Sequence, residues 1–149
     1  MGAQSELIPS QADARLAASG QRATPARVAV LDILLASATA LSHQEIAAAA
    51  RLAGTDLDRV TLYRVLDWLV EHGLAHKIAG EDRIWRFNAT AGSDNAAAPH
   101  EHAHFQCSRC GRLYCLDDLH PVFALSLPPG FRCQHAELIL RGTCPDCST

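Results

Sequence analysis

Six cysteines, Cys107, Cys110, Cys115, Cys133, Cys144 and Cys147, all fall in the last third of the chain. Four of them form two C-x-x-C pairs, in CSRCG (Cys107 to Gly111) and CPDC (Cys144 to Cys147). Two intervening residues let both sulfurs of a pair converge on one side of a tetrahedral ion, and Gly111 supplies a permissive backbone position after the first pair. Two such pairs complete a four-cysteine site for structural Zn2+. The long intervening segment is no obstacle, because loop-closure cost grows only slowly with length. A thioredoxin-like redox pair needs a C-x-x-C at the start of a helix after a parallel strand, and no βαβ pattern precedes either pair. Iron-sulfur ligation uses the same residues, and spacing leaves it open. Disulfides of a secreted chain are the ordinary alternative, but MGAQSELIPS has no basic region followed by an apolar run.

Just upstream stands HEHAHFQC, with His100, His102 and His104 at alternate positions. On a strand this spacing puts all three imidazoles on one face. Cys115 follows Cys107 closely enough to lie across a hairpin, so His102, His104 and Cys115 could serve one further metal. His100 is equally well explained as a surface-loop histidine. A zinc hydrolase on these ligands, with Glu101 or Glu81 as general base, is the enzymatic alternative. No H-E-x-x-H or deaminase-like signature supports it, and we expect no enzyme. A structural zinc module for protein binding is the third reading.

These ligands need elements to carry them. The chain has 149 residues, 48% hydrophobic, which suits one domain or two small ones. With 13 basic and 16 acidic residues the formal charge is -3, so any grip on nucleic acid must come from placed arginines rather than a polybasic tail. Residues 1 to about 78 contain no cysteine and read as four amphipathic helices. The first lies near Asp13 to Ala18. The second is capped by Thr24 with Pro25 at its first position, runs on Val28, Leu31, Leu34 and Leu35, and stops near Ser37. The third follows Ser42, where Glu45 completes a capping box, and ends by Gly54. The fourth follows Asp58 and repeats Leu62, Val65, Leu66 and Leu69 at helical spacing up to Gly73.

Leu74 to Lys77 and Arg83 to Phe87 alternate as two strands around a turn at Ala79 to Asp82. This order is that of a winged helix-turn-helix, with generic three-helix packing as the competing account. Residues 88–99, NATAGSDNAAAP, read as a linker or exposed loop. Beyond it come alternating runs around Phe105, Leu113 and Tyr114, a short helix over Pro121 to Ser126, the turn LPPG, and a run from Ala136 to Arg141. A segment of this size needs a metal or a partner chain, and we expect both. The expected fold class is therefore α+β: a winged-helix domain over 1–87 with its wing at about 74–87, the linker over 88–99, and a small α/β zinc-containing dimerisation domain over 100–149. No window is long enough to span a bilayer, which points to a soluble cytoplasmic protein.

Arg22, Thr24 and Arg27 in QRATPAR, the stretch DRVTLYRVLDWLVEHGL from Asp58 to Leu74, HEHAHFQCSRCG and the terminal GTCPDC together resemble the ferric uptake regulator family, whose members sense iron, zinc, manganese, nickel or peroxide. The resemblance implies a homodimeric transcription factor that binds an AT-rich palindromic operator in double-stranded DNA when metal-loaded, with no small organic ligand. It implies that Tyr63 and Arg64 lie on the recognition helix, with Arg59 at its start and Arg22 and Arg27 nearby on phosphates. A packing role between helix and wing is the alternative for Tyr63. It also implies that Cys107, Cys110, Cys144 and Cys147 hold structural Zn2+, and that His102 and His104 belong to a separate sensing site.

Cys115 stands where iron and peroxide sensors carry a carboxylate, and a thiolate favours Zn2+. GLAHKI is similar to the zinc uptake regulator branch, in which the histidine at the place of His76 reaches the sensing metal from the wing. Glu81 and Asp82 are the alternatives to His76, and His100 is a further candidate for this site. The expected function is a zinc-responsive repressor of metal-uptake genes, with an iron-, manganese- or peroxide-responsive regulator of the same family as its alternative. Ala40 replaces a common family histidine, with His43 three residues on, and the carboxylates of an additional site are missing around Val122. His135 is one position out of register. Cys133 is expected to be a buried small residue, His72 to cap the recognition helix, and His120 to lie on the surface.

Overall fold

The computed structural model describes residues 9–90, 103–116, 119, 126–134 and 136–148. Helices α1 (Gln11–Ala18), α2 (Pro25–Ala36), α3 (His43–Leu52) and α4 (Arg59–Glu71) form where the caps and apolar spacing place them. Ser10 and Ser42 each close a capping box, with Asp13 and Glu45 respectively, while Thr24 and Asp58 accept the amides of Arg27 and Thr61. The apolar faces meet in one core containing Leu16, Val30, Leu31, Leu34, Ile46, Leu62, Leu66 and Leu69. Phe87 enters this core from the wing.

Among the described residues six strands form: β1 (Thr39–Ser42), β2 (Ala75–Ala79), β3 (Trp85–Ala89), β4 (Ala103–Cys107), β5 (Leu113–Leu116) and β6 (Leu138–Gly142). They join in the order β2-β3-β1-β5-β4-β6. Strand β1 is an addition to the expected order, because four residues are too few to show a period. It is the joint of the sheet: Thr39 and Ala40 pair with Tyr114 and Leu113 of β5, whereas Leu41 and Ser42 pair with Phe87 and Arg86 of β3. All these pairs are antiparallel, and β4 pairs with β6 in parallel.

The wing strands lie slightly beyond the expected positions. Ala79 pairs with Trp85, so the turn covers residues 80–84, and the Arg83 amide donates to the Gly80 carbonyl (3.0 Å) with Arg83 at φ 61°. Strand β3 also takes Asn88 and Ala89 from the stretch read as a linker. The expected helix over Pro121 to Ser126 lies, apart from Ser126, outside the described residues, as do His120, Val122 and His135. Cys133 is exposed rather than buried, since residues 131–133 continue irregularly from the LPPG turn instead of entering a strand.

Leu66 is fully buried at the centre of the helical core. Leu66→Ala is expected to lower unfolding stability by about 2–5 kcal/mol, and Ser42→Ala by about 1 kcal/mol, in urea denaturation. Equal midpoints for Leu66→Ala and the parent chain would contradict this core.

Candidate metal centres and nucleic-acid interface

The first centre is built by the two cysteine pairs. Cys107 ends β4, and the turn after it is closed by the Gly111 amide donating to the Cys107 carbonyl (2.9 Å), with Gly111 at φ 75°. Cys144 precedes a single 3-10 turn (Pro145–Cys147), whose Cys147 amide donates to the Cys144 carbonyl (3.0 Å). Because β4 and β6 run parallel, both pairs leave the sheet at the same end. The four sulfurs lie within 4.8 Å of one another, and all six cysteines are thiols. Backbone amides of Cys110 and then Cys144 push the Cys107 thiol down to about 6. The Cys144 thiol, followed by burial, pushes Cys147 up to about 12. A thiolate at Cys107 is thus ready at neutral pH, the Tyr114 hydroxyl lowers the Cys144 thiol as well, and Cys147 awaits a cation, which fits a closed tetrahedral thiolate site.

The second centre joins three strands. His104 and Cys115 are direct cross-strand partners on β4 and β5, and the donor atoms of His76 on β2, His104 and Cys115 lie within 4.8 Å of one another. His76 and His104 are buried, only 2% and 1% exposed, with ring centroids 5.5 Å apart. Two imidazoles and a thiol form a borderline-to-soft donor set of the kind that takes Zn2+. His100 and His102 lie outside the described residues. Glu81 and Asp82 join neither cluster. Asp82 is held by the Arg86 guanidinium (2.9 and 2.6 Å), and the Glu81 carboxylate faces Arg141 (3.6 Å). Of the three candidate wing residues it is His76, the first choice, that the fold brings to the cluster.

On the helical side, α4 exposes Arg59, Val60, Tyr63 and Arg64 along its N-terminal half. Tyr63 is fixed from two sides: His43 stacks on it (centroids 3.8 Å, 30°), and Arg59 Nη2 donates to its hydroxyl (3.5 Å). The expected alternatives for Tyr63 therefore coincide in part, since the ring packs toward α3 while remaining 36% exposed. His43 in turn meets Phe87 edge-on at 5.0 Å. Burial, then Lys77, holds the His43 imidazole below the usual histidine range, so it is largely neutral at pH 7.

A cleft of about 640 Å³ opens between α3, α4 and the wing, lined among others by Arg51, Arg59, Lys77, His43, Tyr63 and Trp85. Lys77 lies over the Trp85 ring (4.4 Å). Sequence reasoning does not assign His43, Lys77 or Trp85 to this face, and only the hairpin register could bring the latter two together. Arg27 covers Trp68 (3.6 Å) and donates to the Arg22 carbonyl (3.0 Å). His72 is the C-cap of α4, its Nδ1 donating to the Trp68 carbonyl (2.8 Å). No helix among the described residues is long and apolar enough to cross a membrane.

The model of the ferric uptake regulator family matches residues 18–120. Transcriptional regulator FurA of Mycobacterium tuberculosis is 35% identical over 95% of this chain and 92% of its own length. The zinc uptake regulation protein of Escherichia coli is 29% identical over 97% of this chain and 80% of its own length. The fold is similar to that of a zinc uptake regulator solved with zinc and DNA, at TM-score 0.65 and 24% identity over 93% of this chain and 91% of that one. The relatives come from more than one branch, and no branch is favoured over the others. With its two ligand clusters and its exposed α4, the chain belongs to the ferric uptake regulator family and is a metal-sensing, DNA-binding transcriptional regulator without catalytic activity.

Proposed function

We propose that this regulator is a homodimeric, zinc-responsive repressor of metal-uptake genes that binds a palindromic operator when its inter-sheet site is loaded. The observation that carries the reading is the convergence of His76 from the wing with His104 and Cys115 from the second sheet. The thiol is the discriminating donor: it favours Zn2+ over Fe2+ and Mn2+ where a carboxylate would accept all three. His102 completes the proposed ligand set. A cation held there would supply a cross-link between wing and second sheet. The relatives named for zinc and in complex with zinc and DNA add support, while a relative named as a peroxide-responsive repressor keeps another branch of the family as the outcome to be tested against.

The remaining assignments follow from the same chain. Cys107, Cys110, Cys144 and Cys147 hold structural Zn2+ and tie β4 to β6. Arg64 and Tyr63 read the major groove. Arg59, Arg22 and Arg27 approach phosphates, Arg27 with the guanidinium edge that Trp68 leaves uncovered. Restricting the wing through His76 limits how two copies of α4 lie relative to one another, and a coupling of about 1–3 kcal/mol would change operator affinity about 5- to 150-fold.

Zinc loading of the metal-free chain at pH 7.5 is expected to release fewer than four protons at the four-cysteine site, because Cys107 at about 6 is already largely ionised and the Cys144 thiol is lowered as well. Calorimetry in buffers of different ionisation enthalpy counts them, and Cys144→Ser should lose this zinc together with the dimer. Arg64→Ala is expected to weaken operator binding at fixed salt by about tenfold or more, corresponding to a contact of about 1–3 kcal/mol, with folding and zinc content unchanged. An unaltered isotherm would remove α4 as the reading helix.

The sensed metal is tested directly at Cys115. Cys115→Ser should retain the zinc of the four-cysteine site but need higher buffered Zn2+ for operator binding, and Cys115→Asp should narrow the difference between Zn2+ and Fe2+. A wild-type zinc response in Cys115→Ser would overturn the zinc reading.

A further inference from the structure

The two sheets that share β1 face each other over three tiers, and the ligand cluster is only the first. His104 and Gln106 project to one face of β4, with Cys115 and Leu113 as their partners on β5 and Ile139 and Arg141 on β6. Opposite them, β2 presents His76 and Ile78 and then the turn at Gly80 and Glu81. The middle tier is a small apolar cluster of Ala40, Ile78 and Leu113, with Ile139 packed on it. The last tier is polar. The Glu81 amide donates to Gln106 Oε1 (2.9 Å), and the Glu81 carboxylate lies 3.6 Å from Arg141 Nε. Gly80 fits closely beneath, since a Cβ there would stand 2.7 Å from Gln106 Nε2.

We propose that Gln106 and Arg141 are positioning residues of the wing: they grip its turn at Glu81 and so keep His76 within ligand range of His104 and Cys115. The inference rests on reading that cluster as a metal site, and it assigns the grip to residues that are themselves no ligands. Outside these tiers the wing is held by two residue pairs with β1, Leu41 with Phe87 and Ser42 with Arg86, and by Leu74, Ala75 and Phe87 in the helical core, on the face away from the second sheet. Strand β2 is the sheet edge, with β3 as its one neighbour among the described residues. Contacts at both ends of the β2 face set how closely it meets the second sheet, and His76 and Glu81 stand at those two ends. Gln106 is buried, only 6% exposed, at a position where an aliphatic side chain would extend the apolar tier, and its amide is used on a backbone group of the opposing turn.

The two grips differ in weight. The Arg141 and Glu81 side chains are 56% and 68% exposed, so solvent screens their attraction, whereas the Gln106 contact is partly buried. The apparent affinity of a site whose donors come from two bodies scales with the fraction of molecules holding those donors in place. Loosening the turn lowers that fraction without altering any donor.

The test uses the full chain with its four-cysteine site filled by zinc, titrated with Co2+ while the thiolate-to-cobalt absorption of Cys115 is followed. Gln106→Leu and Gly80→Ala are each expected to weaken this cobalt site by about three- to tenfold, and Arg141→Ala by about twofold or less. The zinc content of the four-cysteine site and the thermal midpoint should stay at the parent values, while the Glu81 amide exchanges its hydrogen faster. Gly80→Ala reaches the contact from the wing side, so it carries the test if Gln106→Leu does not fold. Parent cobalt affinity in a variant whose Glu81 amide exchanges faster overturns the proposal. A parent chain with no thiolate band overturns the reading of the cluster itself, which separates the two failures.

Discussion

Everything that brings the second cluster together depends on the division of β1 between two neighbours. Thr39 and Ala40 belong to the sheet of β5, β4 and β6, and Leu41 and Ser42 belong to the wing. Three strands stand between β2 and β4 in the strand order, which in a flat sheet would separate them by about 19 Å. Yet the donor atoms of His76 and His104 lie within 4.8 Å. The sheet must therefore fold over at β1, so that the face of β2 turns onto the face of β4 and β5. A short strand suits this task, because a change of partner within four residues leaves no length over which the two sheets could stay coplanar.

The fold-over accounts for the burial pattern of β2. A wing with one face in water would alternate, but Ala75, His76 and Ile78 are all buried, since one face meets the helical core and the other meets the second sheet. Phe87 performs the corresponding role on β3: it lies in the helical core and touches His43, which stacks on Tyr63. The inter-sheet cluster and the exposed aromatic of α4 are thus joined by packed side chains. A shift of β3 moves Phe87, and with it the support of Tyr63.

Much of this is legible in the chain, for identifiable reasons. Helix starts at Thr24, Ser42 and Asp58 are readable because capping is local chemistry, and the four-cysteine site because two C-x-x-C pairs constrain their own geometry. Pairing of His104 with Cys115 follows from hairpin spacing. Strand β1 is not readable, and neither is anything that depends on it. Glu81 and Asp82 are plausible ligands as carboxylates on a wing, but their disposition depends on Arg86, four residues past Asp82 across the wing turn, and on Arg141, which the fold brings to Glu81 from β6. The positions of His43, Lys77 and Trp85 around one cleft depend on register in the same way. Cys133 reads as a small core residue by type, and only the irregular path after the LPPG turn places it at the surface.

The distribution of donors over the fold explains why the two clusters suit different tasks. The cysteine pairs sit on strands β4 and β6, whose parallel ladder runs from Ala103 with Leu138 to Cys107 with Gly142. Their separation is already defined by backbone hydrogen bonds, so occupancy reinforces an arrangement the sheet has chosen. His76 reaches its partners across an interface whose apolar tier has three buried residues. That interface is small enough for its orientation to depend on what lies at each end. A site spread over a weakly determined interface converts occupancy into geometry, while a site within one ladder converts it into stability. On the proposed reading the same thiolate chemistry would serve a structural purpose at Cys107 and a regulatory one at Cys115, and the difference would lie in the elements that carry each donor.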